Sequence, residues 1–242
     1  MPRVKLIQAP TEQELIPVVA AARCYSDLGN DELLTKRTLQ TPEGRAKFIQ
    51  GVMKTGHLST IEHVCFTFMI EDVSRAFLAQ ITRHRLASFS VQSQRYVKID
   101  TEDPDWYCEP EMIANFPEIR AIYEEQMRSA ADAYNRICER LVTFGRTEEQ
   151  AQEDARFVLP EGTATKMVVT MNARELIHFF SLRCCNRAQW EIRDVAWQML
   201  GEVKKACPAL FANAGPSCLT TGKCPEGKRS CGHPYRMEDT TE

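Results

Sequence analysis

The chain has 242 residues, with 33 acidic and 30 Lys plus Arg side chains and a formal net charge of −3. That length suits one compact body with a modest core and a small appendage, and argues against two large independent domains. Near-balanced charge offers no global attraction for nucleic acid or an anionic bilayer. With no signal core at the N-terminus and no apolar run long enough to span a membrane, the expectation is a cytoplasmic protein without nucleic-acid or membrane partners.

Val4 to Ile7 read as a short strand, and a helix follows through Ala22, with Thr11 as its cap and Glu14 completing a capping box. A second helix is bounded by Thr41 as cap, Pro42 in the first turn and Gly56 as its stop, which leaves His57 in a loop. Val64 to Ile70 form a strand whose two faces are both largely apolar, so helices are expected on both sides. A helix from Ser74 runs to the Arg83 region, and the polar segment from Ser88 to Ser93 need not be helical.

Pro104, Pro110 and Pro117 mark a connection. After it, Ile119, Ile122, Tyr123, Met127, Ala130, Tyr134, Ile137 and Leu141 make one long helical stripe, read as core or subunit contact. Glu148 to Arg156 is a further helix and Lys166 to Met171 a strand; Asn172 and Glu175 form a capping box for a helix through Leu182. The last long helix spans Gln189 to Ala206 and stops at Pro208. No apolar period remains beyond it, so 208–242 is expected to be a surface wrap or partly disordered.

The strands are few and unevenly spaced, and none is followed by Gly-x-Gly-x-x-Gly, which disfavours a doubly wound sheet. The fold class is therefore α+β, a small sheet packed by long helices. We divide the chain into a catalytic domain over 1–213 and a cysteine-rich extension over 214–242.

Ten cysteines are present. Cys24, Cys65, Cys138 and Cys185 sit among apolar residues and read as buried free thiols. Cys207, Cys218, Cys224, Cys231 and His233 gather near the C-terminus, where thiolates and imidazole could hold zinc. Their spacing lacks a short Cys-x2-Cys knuckle, so no metal is expected and the tail reads as a plain extension.

The segment Gln80 to Lys98 carries Arg83, Arg85 and Arg95 but no Asp or Glu. Three guanidinium forks with the Ser88 and Ser93 hydroxyls suit an anion such as phosphate; a solvated basic stretch, or a patch meeting acids of another subunit, is the alternative. Gly56-His57-Leu58-Ser59-Thr60-Ile61-Glu62-His63 places two histidines beside one carboxylate, readable as structural hydrogen bonding or as a site.

Arg83-His84-Arg85 with Ser88, Ser93 and Arg95 resembles the RHR-x2-S-x4-S-x-R signature of the flavin-dependent thymidylate synthases, and Gly56 to His63 resembles that family's Gly-His-x-Ser/Thr-x-x-Glu-His element. Matched segments extend from residue 56 to about 193. The resemblance implies the family's fold, with a mainly antiparallel sheet, and an FAD-dependent reductive methylation of dUMP to dTMP. In it, 5,10-methylenetetrahydrofolate gives the carbon and NADPH the reducing equivalents, and tetrahydrofolate is released. It also implies a homotetramer with active sites shared between subunits.

By the same resemblance, Ser59, Arg83, His84, Arg85, Val91, Asn172, Ala173, Arg174 and His178 contact the flavin. Gln80, Ile81, Thr82, Arg83, Val91, Gln92, Ser93, Gln94, Arg95 and Arg156 hold dUMP. Glu62 and His63 would support the pocket. Arg183 would stabilise negative charge on the pyrimidine and His57 would act beside the flavin, as the two catalytic residues. Ser90 stands where members often have Asn, and Val91 where many have Glu, which removes a carboxylate.

Overall fold

Local sequence signals explain where several of the helices begin. Thr41 Oγ1 accepts from Gly44 N at 3.1 Å and Pro42 sits at the first helical position, while Gly56 ends that helix at φ 75°, a left-handed conformation that costs glycine nothing. The computed structural model describes residues 1–235 apart from Gln13, and for Arg37 and Thr38 the backbone alone. Gln13 of the first expected helix and 236–242 of the expected extension lie outside the described residues.

In chain order the elements are β1 (Arg3–Gln8), α1 (Leu15–Arg23), α2 (Asn30–Leu34), α3 (Arg37–Gln40), α4 (Pro42–Thr55), a 3-10 turn (Leu58–His63), β2 (Cys65–Ser74) and α5 (Arg75–Ile81). There follow β3 (Ala87–Val91), α6 (Glu111–Ala114), α7 (Pro117–Thr143), α8 (Glu148–Ala155), β4 (Ala164–Asn172), α9 (Ala173–Arg183), α10 (Trp190–Ala206), α11 (Pro208–Phe211) and α12 (Ser217–Thr221). One antiparallel sheet has the order β1-β2-β4-β3.

Two compact units make up the chain, both discontinuous in sequence. The first comprises Met1, Glu71–Gln80 and Ser90–Met167. In it α7, about 40 Å long at 1.5 Å per residue, packs on α8 over a core of Tyr134, Cys138 and Ala155. Thr147 and Gln150 form a reciprocal capping box at the start of α8. Only part of the expected α7 stripe is core: Met127, Ala130 and Tyr134 are buried, together with Cys138 outside that stripe, whereas Ile119 and Ile122 are 44% and 69% exposed.

The second unit comprises Pro2–Ile70, Ile81–Phe89 and the chain from Val168 onward. Here α9 and α10 pack together, α10 covers β1, and Phe66, Phe179, Phe180 and Phe211 form an aromatic core with edge-to-face contacts. Phe211 lies 5.4 Å from Phe66 and 6.2 Å from Phe180, ring centre to ring centre. The segment after Pro208 therefore does not begin as a surface wrap. Leu210 and Phe211 are core, a role that a four-residue helix is too short to announce by periodicity.

Three further expectations are corrected. Thr11 does not cap α1: Glu14 does so from a left-handed backbone (φ 61°) without a side-chain cap, and its buried carboxylate instead accepts from Leu210 N at 3.0 Å and from Ala209 N, capping α11. In β2, Phe66, Phe68 and Ile70 are buried but Cys65 and Met69 are exposed, so helices do not cover both faces. Left-handed Asp72 (φ 59°) shifts that alternation by one residue, which buries Val73. Finally, Cys24 and Cys65 are exposed rather than buried thiols.

Candidate active site

In the second unit, Asn172 Oδ1 caps α9 by accepting from Glu175 N at 2.9 Å. The return half of the expected capping box is absent because the Glu175 carboxylate is engaged elsewhere: its Oε1 lies 2.9 Å from His84 Nδ1. On the opposite side of the ring, Arg183 Nε donates to His84 Nε2 at 3.1 Å. A guanidinium can only donate, so Nε2 is the bare nitrogen and Nδ1 carries the proton given to Glu175. His84 is thereby fixed as one neutral tautomer.

His84 and Glu175 are 5% and 6% exposed, which decides that the imidazole works inside the fold, with both nitrogens occupied. Burial lowers the His84 pKa from its ordinary 6.5; the Glu175 hydrogen bond opposes this, and the Arg183 charge and the nearby His178 assist it. Arg183 is itself lowered, first by burial and then by the charge of Arg83. The arrangement holds a partly desolvated cation at the end of α9, where its field is poorly screened.

Arg83, Arg85 and His178 in the same unit are exposed, and Arg174 is ion-paired with Glu62. His57 and Ser59 line a cavity of about 720 Å³ with Tyr25, Lys47 and Phe48 from α4 and the end of α1. Ile81 and Ala173 are fully buried, so any contact they make with a ligand is through backbone. Thr82 is exposed, and Asn172 is spent on its cap.

In the first unit, Ser93 Oγ accepts from Arg95 N at 3.1 Å and from Tyr96 N at 3.4 Å, which turns the chain after Gln92. The Gln92 backbone is bonded on both sides, its N–H to Lys166 O at 3.0 Å and its carbonyl from Arg75 at 3.2 Å. Arg95 is not left without acidic partners: Glu149 and Glu153 of α8 lie at 2.7 and 3.2 Å, and Glu153 leads in raising its pKa. Counting acids along the local segment could not reveal carboxylates more than fifty residues away.

Among the described residues of this unit, the buried nitrogens Arg75 Nε, Gln94 Nε2 and Arg95 Nε have no hydrogen-bond partner, nor do Thr165 Oγ1 and Gln152 Oε1; the ion pair of Arg95 Nε with Glu153 is not aligned as a hydrogen bond. Burial and then the neighbouring charge of Arg156 lower the pKa of Arg75. Arg156 Nε itself donates to Glu153 O at 3.1 Å. Unsatisfied donors beside mutually repelling guanidiniums make a place that gains from an anion. Sequence reasoning missed Arg75, whose signal was faint: a lone Arg at the end of a strand, eight residues before the basic motif.

The profile of the family described as thymidylate synthase complementing protein matches residues 5–209. A flavin-dependent thymidylate synthase of Nitratidesulfovibrio vulgaris is 47% identical over 241 residues, covering 98% of this chain and 97% of that protein. The corresponding protein of Geobacter sulfurreducens is 46% identical over 230 residues, with 95% and 94% covered. The chain belongs to the flavin-dependent thymidylate synthase family.

In fold, it is similar to a UMP/dUMP methylase from Streptomyces cacaoi bound with 5-Br dUMP, with a TM-score of 0.68, 24% identity, and 88% and 93% of the two chains covered. A flavin-dependent thymidylate synthase must hold two anionic ligands, a flavin nucleotide and a pyrimidine monophosphate. The unsatisfied donors of the first unit fit a phosphate, and the exposed arginines and the His57 cavity of the second fit a larger phosphorylated cofactor. No helix among the described residues is long and apolar enough to cross a membrane.

Proposed function

We propose that the chain converts dUMP to dTMP, taking the carbon from 5,10-methylenetetrahydrofolate and a hydride equivalent from NADPH, with release of tetrahydrofolate and NADP⁺. The observation that carries this reading is Arg183 held against the unprotonated nitrogen of a buried, neutral His84. Arg183 stabilises negative charge as it develops on the pyrimidine, and the hydrogen bond from Nε fixes where the rest of the guanidinium points. Arg75, Gln94, Arg95 and Arg156 hold the monophosphate.

Ser59, Arg83, Arg85, Arg174 and His178 would hold FAD, which supplies a carrier able to accept hydride from one partner and pass it to another. His57 lines the cavity at which that cofactor is read to sit. No cysteine nucleophile is needed beside Arg183: the Cys184 thiol is buried and burial pushes its pKa far up, so it holds no thiolate to attack the ring.

Residues 1–213 are read as the catalytic body and 214–242 as the extension, acting in the cytoplasm. A homotetramer is the natural assembly, with sites shared between subunits, because a chain of 242 residues must enclose three ligands and leaves Ile119, Ile122 and Phe157 exposed. Anaerobic incubation with dUMP, methylenetetrahydrofolate and NADPH, with and without added FAD, tests the reading by chromatography of dTMP. Formation that requires FAD supports it; dTMP formed equally by flavin-free protein refutes it.

A further inference from the structure

Four of the ten cysteines, Cys185, Cys218, Cys224 and Cys231, line one cavity of about 50 Å³ in the second unit. Cys207, which the sequence groups with the tail thiols, is buried at the end of α10 and does not line it; Cys185 comes instead from the chain just after α9. None of the four is in a disulfide.

Among the described residues, few other contacts hold the tail in place. Between Ser217 and Tyr235 the chain forms one helix of five residues and one 3-10 turn, and contributes no fully buried apolar side chain. Its ties to the body are peripheral: Asn186 Nδ2 donates to His233 O at 3.0 Å, Arg187 donates to Arg229 O and lies 4.0 Å from Glu226, Ser217 Oγ donates to Ser181 O at 3.4 Å, α12 touches α9, and Tyr235 lies 5.2 Å from Trp197. A segment this poor in apolar burial needs another source of folding free energy, and thiolate coordination is one that small elements commonly use.

We propose that Cys185, Cys218, Cys224 and Cys231 ligate a thiophilic metal centre that pins the tail to the end of α9, and that the centre is an iron–sulfur cluster rather than a single ion. A lone zinc draws its sulfurs to about 3.8 Å from one another, given Zn–S bonds near 2.3 Å in a tetrahedron. Among the described residues no three His, Cys, Asp or Glu side chains converge closely enough to hold one ion. The four cysteines line one void instead, an arrangement that a cluster with its own iron and sulfide can bridge.

Two features of the surroundings suit bound thiolates. His233 N donates to Cys231 Sγ at 3.4 Å, a bond that stabilises charge on sulfur, while the S–H that Cys231 gives to His233 O at 3.4 Å is the proton released on metal binding. Lys223, Lys228 and Arg229 in the tail, with Arg187 beside Cys185, outnumber Glu226 and offset the negative charge of a four-thiolate centre. Binding releases one proton from each thiol and involves no change in the oxidation state of the protein.

The test uses full-length protein purified anaerobically and, separately, reconstituted with ferrous iron and sulfide or with zinc chloride. Iron, acid-labile sulfide and zinc are measured per chain, with electron paramagnetic resonance after dithionite reduction to distinguish a cluster from flavin absorbance. Iron and sulfide in equal amounts, lost in Cys218→Ser, Cys224→Ser and Cys231→Ser but kept in Cys65→Ser, establish the cluster. One zinc per chain with the same loss establishes the thiolate site and rejects the cluster.

Should a variant not fold, the wild-type protein still decides. Chelation under oxidising conditions releases the metal and makes the tail newly sensitive to protease, with four additional thiols reactive after re-reduction. No bound metal after either reconstitution, with all four thiols already reactive in the native protein, overturns the proposal. None of these readouts depends on dTMP formation, so they stand apart from the activity proposed above.

Discussion

Arg183 Nε reaches His84 Nε2 at 3.1 Å, and that bond exists only while the imidazole is neutral. Protonating His84 would place two cations face to face in a buried setting. Activity should therefore fall at acidic pH as His84 titrates, below its ordinary 6.5 because burial and Arg183 depress it.

The same group governs acid stability. Its folded-state pKa is depressed, so the stability it contributes is fully present above about pH 6.5 and is lost as pH falls through the lower folded value. Thermal denaturation across this range should show Tm declining on the acid side, and a His84→Gln variant should flatten that part of the curve. Glu175→Gln weakens the partner that opposes the depression, so its activity limb should move to still lower pH while kcat falls about tenfold. An unchanged pH profile in Glu175→Gln would mean that the carboxylate does not address this ring.

Arg75 and Arg95 separate binding from folding. Arg75→Met removes an unpartnered buried Nε and relieves repulsion with Arg156 while losing the bond to the Gln92 carbonyl, so Tm should change little, yet the dUMP Kd should rise about tenfold or more. Arg95→Ala should raise KM for dUMP to a similar degree with little effect on Tm, since its ion pairs with Glu149 and Glu153 are solvent-exposed. Calorimetric titration with dUMP and a melting curve on each variant check both statements. A dUMP affinity unchanged in Arg75→Met would remove this arginine from the phosphate site.

Glu14 offers a test of the fold away from any ligand. Its carboxylate satisfies Ala209 N and Leu210 N at the start of α11, the helix that places Phe211 against Phe66 and Phe180. Glu14→Ala should cost about 1–2 kcal/mol, measured by urea denaturation, with catalytic parameters of the folded enzyme unaltered. A neutral result would show that water replaces the cap.

The thiols should sort by burial. Cys184 and Cys207 are fully buried; burial raises the first far up and the second to about 11, so at pH 8 neither should react with a disulfide reagent in the native protein. Cys24 and Cys65, both exposed, should react at once. Mass spectrometry of the labelled peptides reads the order, and early labelling of Cys184 would contradict the packing of α9.

Much of this was legible in the sequence wherever a short-range rule applied. Thr41, Pro42 and Gly56 bounded α4, Asn172 marked the start of α9, and Met127, Ala130 and Tyr134 of the stripe located the inner face of α7. What remained hidden depends on partners far apart in the chain. Glu175 looked like half of a capping box, but its side chain spans ninety-one residues to His84; Glu14 looked like another half box and caps a helix 195 residues on. β3 escaped notice because Ser88 and Ser90 are exposed and break any apolar signal, leaving pairing to the sheet to define it. Arg95 appeared unpaired for the same reason, its carboxylates arriving on α8.

The most direct measurement is the kcat for dTMP formation by FAD-loaded Arg183→Ala set beside its dUMP Kd. The account predicts a kcat lower by about 100- to 1,000-fold with dUMP still bound. Turnover at the wild-type rate in that variant would contradict it, since no other group described here lies against His84 to stabilise charge on the pyrimidine.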